Sequence, residues 1–229
     1  MKKILLFILI SSSSLFADAL PTSIKSSVKS TSNGIIQLSS NVPAGMSGII
    51  MHDYGNGLSA ITHTTISLGN GKASVQPHTA ILHKNIPSIQ TMVSAGDNIV
   101  FGNFYPNVLL IAPNQVAYKQ VTQKFQRTWI HPDAFALDFM QTGETQLSME
   151  TLQHFAKKNQ IGLVLVVTSN KLLVIDPISK KVIGSTGLKT NPNTAISPFY
   201  ARFEQANLSF FSTSDRSYTP YFQSVAGLK

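Results

Sequence analysis

The chain of 229 residues contains no cysteine and carries little charge. Without cysteine we expect no disulfide, no thiolate metal site and no lipid-modified N-terminal cysteine. Asp, Glu, Lys and Arg make up only 12% of the residues, about half the usual share. Uncharged polar side chains are therefore expected to cover much of the surface.

Runs of basic residues are also missing, although Lys and Arg outnumber Asp and Glu by 18 to 10. The lysines occur singly or as the isolated pairs Lys157-Lys158 and Lys180-Lys181. Because nucleic-acid binding usually needs clustered basic side chains, the sequence predicts no nucleic-acid partner. Attraction to anionic lipid or to a cell-wall polymer is the alternative use of this charge.

Long apolar runs are absent as well, and the N-terminal one covers only about seven residues, against the roughly 20 that span a bilayer. It follows Met1-Lys2-Lys3 and precedes small residues, a pattern typical of a cleaved secretory signal. We expect residues 1–17 (or 1–19) to be the signal peptide. The mature protein is then predicted to be exported, without a transmembrane segment, to the periplasm or to the outer membrane and cell surface.

Residues 22–105 show strand patterns and turn signals and almost no helical spacing. Asn33-Gly34 between two apolar stretches is a strong hairpin signal, and Gly55-Asn56-Gly57 and Gly69-Asn70-Gly71 mark two further turns. The sequence predicts a small, barrel-like antiparallel β module. We expect its core to be separate from the core of the rest of the chain, with a junction near Phe104-Tyr105.

Residues 106–186 predict an α/β sandwich with a mixed sheet and about three helices, so the whole chain is α+β. Short apolar runs typical of buried strands occur at 108–112, 128–130, 161–167, 172–175 and 181–183. Apolar residues at three- and four-residue steps predict helices at 117–125 and 135–140. Ser148 is placed to cap a third helix, which Asn159 is expected to end.

Residues 187–229 form a C-terminal tail that is rich in aromatic side chains. Disordered tails are poor in aromatics, so this one is expected to pack, either within the chain or on another subunit. The candidate interface residues are Phe199, Tyr200, Phe210, Phe211, Tyr221 and Phe222.

Candidate catalytic and metal-binding groups are few. His52-Asp53 and His131-Pro132-Asp133 each combine groups able to orient a base or hold a metal, but His131 precedes a proline at a helix start, which favours capping and packing. The other histidines lack zinc-motif spacing, and no serine lies in a G-x-S-x-G elbow. The sequence therefore predicts no enzyme activity, no metal and no cofactor.

Several spaced segments carry a family resemblance that spans roughly residues 25–185. The most specific are Ala112-Pro113-Asn114 and Ile130-His131-Pro132-Asp133, followed by Asn159-Gln160-Ile161-Gly162-Leu163 and Val174-Ile175-Asp176. In these segments the chain resembles the N-terminal domain of the plasminogen-binding protein A family of Helicobacter- and Campylobacter-like bacteria.

The resemblance implies an exported, non-enzymatic protein that captures host plasminogen, whose kringle modules recognise lysine. The candidate binding residues are Lys229, which offers an ammonium and a carboxylate together, and Lys157, Lys158, Lys180 and Lys181. The alternative function is a structural scaffold in a periplasmic envelope assembly, such as a flagellar-motor accessory structure. A scaffold would use the aromatic tail as an interface, whereas a monomeric receptor would bury it.

Overall fold

Among the described residues, the architecture is a closed antiparallel barrel followed by a mixed sheet with three helices, which confirms the predicted α+β class. The computed structural model describes residues 20–78, 91–142, 147–168, 170–190, 199–202, 218, 222 and 227. The predicted sequence boundaries of the two domains and of the tail stay predictions.

The barrel is closed by pairing between its first and sixth strands, in the order β1-β2-β5-β4-β3-β6. Its strands are β1 (Ile24–Ser32), β2 (Ile35–Leu38), β3 (Ser47–Gly55), β4 (Leu58–Gly69), β5 (Lys72–Pro77) and β6 (Asn98–Phe101). The β1–β2 turn has φ of 51° at Asn33 and 73° at Gly34, left-handed values that Asn and Gly accept at little cost. The two other glycine-rich segments connect β3 to β4 and β4 to β5, as predicted.

The second part is a five-stranded sheet in the order β11-β10-β9-β7-β8. Its elements are β7 (Asn107–Ile111), α1 (Gln115–Lys124), β8 (Thr128–Ile130), α2 (Pro132–Thr142), α3 (Met149–Asn159), β9 (Leu163–Val167), β10 (Lys171–Asp176) and β11 (Lys181–Gly187). Strand β7 runs parallel to β8 and β9, whereas β9, β10 and β11 are antiparallel. The carboxyl ends of β7, β8 and β9 consequently share one edge of the sheet.

Helix α3 has well-defined ends. Ser148 accepts a hydrogen bond from the Thr151 N–H while the Thr151 hydroxyl accepts one from the Ser148 N–H, which forms a capping box. At the other end the left-handed residue is Gln160, with φ of 53°, and Asn159 is still helical. The predicted cap at Ser148 is confirmed. The helix ends at Asn159, but the residue that turns the chain is Gln160 rather than Asn159.

The barrel and the sheet share one hydrophobic core, so the expectation of two separate cores is wrong. Val28 and Ile50 of the barrel belong to the same buried cluster as Leu110, Leu165 and Val174 on one face of the sheet. The opposite face packs against α2 and α3 in a second cluster. Both faces of the central strands are therefore covered, one of them by the barrel together with α1.

A buried carboxylate joins the barrel to the sheet. Asp176 at the end of β10 accepts hydrogen bonds from the backbone N–H and the hydroxyl of Ser47, each at 2.7 Å, and from the Tyr105 hydroxyl at 2.8 Å. The N–H groups of Ile178 and Ser179 donate to its second oxygen at 3.0 Å. Burial, together with the neighbouring Asp176 carboxylate, raises the pKa of Tyr105 far above its ordinary value, so the phenol keeps the proton it donates.

A close backbone approach fixes the same junction. A Cβ atom added at Gly162, just before β9, would lie 2.2 Å from the carbonyl carbon of Phe104 and 2.5 Å from the Tyr105 nitrogen. Only glycine allows the chain between barrel and sheet to pass this close.

Candidate functional site

Three of the four candidate lysines that the structure describes lie around α3, and the fourth, Lys181, does not. Lys157 and Lys158 occupy its last turn, and Lys180 reaches its first turn. The β10–β11 turn is held along the helix because Gln153 donates to the Ile178 carbonyl at 2.6 Å. Lys181 lies apart, next to Gly45 of the barrel. We call Lys157, Lys158 and Lys180 the α3 lysines.

Two of the α3 lysines stand beside carboxylates. The Lys158 ammonium is 2.5 Å from Asp138 of α2, and the Lys180 ammonium is 2.9 Å from Glu150 of α3. Lys157 is exposed, and no ion pair is seen for it within the described ranges. Both paired ammonium groups remain accessible. The Lys180–Glu150 pair is exposed on both sides and contributes little to stability, whereas the Asp138 carboxylate is buried. An incoming partner can therefore compete for Lys157 and Lys180 at low cost.

A cleft of about 340 Å³ lies between α2 and α3, next to these pairs. Its lining includes Asp138 and Glu150 together with Phe135, Phe139, Thr151 and His154. Nothing local in the sequence signals the pairing of these two acids, because each partner lysine is 20 or 30 residues away. Lys229 lies outside the described residues, and its role stays a prediction.

The aromatic tail packs within the chain wherever the structure describes it. Phe199 and Phe222 are fully buried and Tyr200 is nearly so. The Phe199 ring stacks on Phe135 of α2 with centroids 5.8 Å apart. Of the two alternatives, packing within the chain or on another subunit, these described residues show packing within the chain. The remaining interface candidates, Phe210, Phe211 and Tyr221, lie outside the described residues.

This tail covers the carboxyl edge of the parallel strands, where open α/β sheets commonly bind small ligands. The Tyr200 N–H donates to the Ala112 carbonyl at 2.8 Å, just beyond β7. The Tyr218 hydroxyl donates to the Ile111 carbonyl at 3.1 Å. The Thr190 hydroxyl donates to the Thr168 carbonyl at 3.0 Å, just beyond β9. The described residues of this segment thus lie at the edge where other α/β sheets bind a small ligand.

His131 and Asp133 belong to this covering and are not arranged as a metal site. The Asp133 N–H donates to His131 Nδ1 at 3.2 Å, which caps α2 as the sequence predicts. Arg202 donates to Asp133 through its backbone at 2.8 Å and through its guanidinium at 2.5 Å. Tyr118 and Tyr200 complete the cluster, with ring centroids 5.5 Å apart. These groups hold the tail on the sheet.

The protonation states follow from this packing. Burial lowers the pKa of His131, and the nearby Arg202 adds to the effect against the opposing pull of Asp133. For Asp133, burial alone would raise the pKa, but the backbone and side-chain hydrogen bonds from Arg202 prevail and lower it. At neutral pH the cluster therefore contains a neutral imidazole and a paired carboxylate.

We expect protonation of His131 to weaken the folded state. Since its folded pKa lies below the ordinary 6.5, its contribution is present above that pH and is lost as the pH falls through the folded pKa. His131→Gln should therefore reduce the loss of stability between about pH 7 and pH 5. Urea titrations of both proteins at several pH values measure this. An unchanged pH dependence in the variant would contradict the assignment.

In the barrel, His52 does not act together with the adjacent Asp53, with which the sequence groups it. His52 pairs with Asp97, at 2.7 Å, rather than with its neighbour Asp53, which accepts from the Gly55 N–H. Among the described residues, no group of three or more His, Asp or Glu side chains is placed to hold a metal ion. Likewise, none of the helices in the described ranges is long and apolar enough to cross a membrane.

Comparison with known proteins places the chain in a family. The profile of the family described as "Plasminogen-binding protein pgbA N-terminal" matches residues 22–226. Two curated relatives, both named Plasminogen-binding protein PgbA and from two strains of Helicobacter pylori, are 20% identical over 181 residues. The alignments cover 76% of this chain and 40% of each relative, so the chain spans less than half the length of these proteins. No solved structure matches it significantly. The chain belongs to the plasminogen-binding protein A N-terminal family.

Proposed function

We propose that this protein is an exported, non-enzymatic surface or envelope protein that captures plasminogen through lysine side chains. The observation that carries the proposal is the match to a family named for plasminogen binding, over nearly the whole chain after residue 21. The exposed α3 lysines support it, because they offer cations that are held in place by the fold.

The chemistry of kringle recognition suits these lysines. A kringle pocket takes an ammonium and a carboxylate joined by an apolar stem, and a C-terminal lysine such as Lys229 supplies all three on one residue. At Lys158 and Lys180 the ammonium has a carboxylate from a different residue beside it. An internal site at α3 thus offers both charges, although less ideally placed, and we expect it to bind more weakly than Lys229.

The scaffold alternative receives no specific support. Its distinguishing feature was an aromatic tail available to other subunits, whereas Phe199, Tyr200 and Phe222 are inside the chain. The burial of these rings agrees better with a monomeric receptor than with an assembly subunit.

The proposal is tested by measuring binding to immobilised plasminogen, with free lysine as competitor. In protein that ends at Lys229, deleting this residue should remove most of the lysine-competable binding. Replacing the three α3 lysines by alanine should weaken the remainder about tenfold, or roughly 1.4 kcal/mol. Tighter apparent binding is expected where several lysines engage several kringles at once.

The matched control is the barrel triple variant Lys25→Ala, Lys29→Ala, Lys72→Ala, which removes the same charge from another exposed surface. It should bind plasminogen like the unmodified protein. Equal loss in both triple variants would mean that only net charge matters. If the unmodified protein does not bind plasminogen at all, the proposed function is wrong.

A further inference from the structure

The barrel contains three Asn-Gly pairs, and each forms the turn of a hairpin. Asn33-Gly34 joins β1 to β2, Asn56-Gly57 joins β3 to β4, and Asn70-Gly71 joins β4 to β5. The three asparagines have φ between 51° and 53°, and these glycines have φ between 69° and 77°. Such turns require these left-handed values. The same pair of residues is also the one most prone to deamidation, because glycine has no side chain to shield its nitrogen.

Deamidation is a reaction of the chain with water and needs no enzyme. The glycine nitrogen attacks the side-chain carbonyl carbon of the asparagine, which closes a succinimide ring, and the side-chain nitrogen leaves as ammonia with the proton that the glycine nitrogen gives up. Water then opens the ring at either carbonyl, so that aspartate or isoaspartate forms and no oxidant or reductant is used. Ring closure requires rotation about the Cα–C bond of the asparagine, so the turn must first open locally. The rate consequently depends on what holds each turn closed.

The turn at Asn70-Gly71 is held at the nitrogen that would react. The Gly71 N–H donates to the side-chain carbonyl of Asn41 at 3.2 Å, and the Gly71 carbonyl accepts from the Leu38 N–H at 2.7 Å. Leu38 is the last residue of β2, and Asn41 follows it closely in the chain. Opening this turn therefore breaks two hydrogen bonds to a neighbouring segment.

The turn at Asn33-Gly34 is held by β5, although less firmly. The Gly34 carbonyl accepts a hydrogen bond from the Val75 N–H at 3.0 Å, and Ile35, the next residue, pairs with Ser74. Among the described residues, no hydrogen bond engages the Gly34 N–H. One contact to a neighbouring strand thus restrains this turn, and its reactive nitrogen is open.

The turn at Asn56-Gly57 has the least support. In the described pairing, β6 accompanies β3 only as far as Met51, and β5 accompanies β4 only from His63 onward, so beyond these points β3 and β4 pair with each other alone. Asn56 and Gly57 are both exposed, and nothing lies within 4 Å of a Cβ atom added at Gly57. Within the described ranges, no hydrogen bond from another strand reaches the backbone of these two residues.

We propose that Asn56 is a deamidation site of this protein and that it reacts faster than Asn33 and Asn70 in the folded chain. Asn56 and Asn70 each stand in the tripeptide Gly-Asn-Gly, so a difference between their rates reports the fold. The product carries a new carboxylate three residues from Asp53, which is exposed and accepts from the Gly55 N–H. Each event lowers the formal net charge of +8 by one and makes this hairpin end more acidic, independently of any binding of plasminogen.

The test is incubation of the folded protein at mildly alkaline pH, where the glycine nitrogen loses its proton more readily, followed by trypsin digestion and mass spectrometry. All three asparagines lie in one tryptic peptide, residues 30–72, so the fragment ions of that peptide compare their conversion directly. We expect Asn56 to convert about tenfold faster than Asn70, because two additional hydrogen bonds oppose opening at Asn70. Asn33 should react at an intermediate rate.

Two controls separate the fold from the sequence. In concentrated urea the three asparagines should convert at similar rates. In Asn41→Ala, which removes the acceptor of the Gly71 N–H, Asn70 should react faster while Asn56 keeps its rate as the internal reference. The proposal is wrong if Asn33 or Asn70 converts first in the folded protein, or if Asn56 stays intact under conditions that convert it in urea. An unchanged preference for Asn56 in urea would also overturn it, since the order would then come from the sequence alone.

Discussion

Replacement of Asp176 by alanine is expected to lower the free energy of unfolding by about 3–5 kcal/mol. The carboxylate accepts five hydrogen bonds from Ser47, Tyr105, Ile178 and Ser179 in a fully buried place. Without it, those donors are left unpaired where water has little access, and the barrel loses its polar link to the sheet. Urea denaturation followed by circular dichroism measures the change.

The matched control is Asp53→Ala, which removes an exposed carboxylate that accepts a hydrogen bond from the Gly55 N–H. We expect a loss below about 1 kcal/mol there. Tyr105→Phe removes one of the five donors and keeps the ring, so its effect should be intermediate, about 1–2 kcal/mol. Similar losses in Asp176→Ala and Asp53→Ala would contradict the role given to the buried carboxylate.

Gly162→Ala is expected to cost about 3 kcal/mol or more, because the added methyl group would overlap backbone atoms of Phe104 and Tyr105. Backbone cannot rotate away as a flexible side chain would, so the junction itself has to open. Gly187→Ala is the control, since nothing lies within 4 Å of the corresponding position at the end of β11. Thermal unfolding should show a large drop for the first variant and little change for the second.

The local elements were predictable because their signals lie within a few residues. Asn33-Gly34 defines a hairpin by itself, and Ser148 with its neighbours defines a helix start. The apolar run at 161–167, which contains β9, is apolar on both faces, and this correctly indicates that both faces are covered. The same pattern does not say whether a helix or a barrel covers each face. For this reason the sequence did not predict the core that the barrel shares with the sheet.

Side-chain pairs between residues that are far apart in the sequence give no local signal in it. His52 meets Asp97 rather than the adjacent Asp53, and Lys158 meets Asp138 from another helix. Charge and spacing identify the lysines as candidates, but only the tertiary structure shows which of them surround α3.

The burial of the last aromatic residues has a consequence for how the protein is made. Phe199, Tyr218 and Phe222 complete the core around α2 and α3, which begins at residue 132. During synthesis, about 90 residues must follow the start of α2 before this core can close, so its apolar faces stay open meanwhile. Ribosome-bound chains that stop near residue 190 should consequently be prone to aggregation and sensitive to proteases, and should depend on chaperones until residue 222 has emerged.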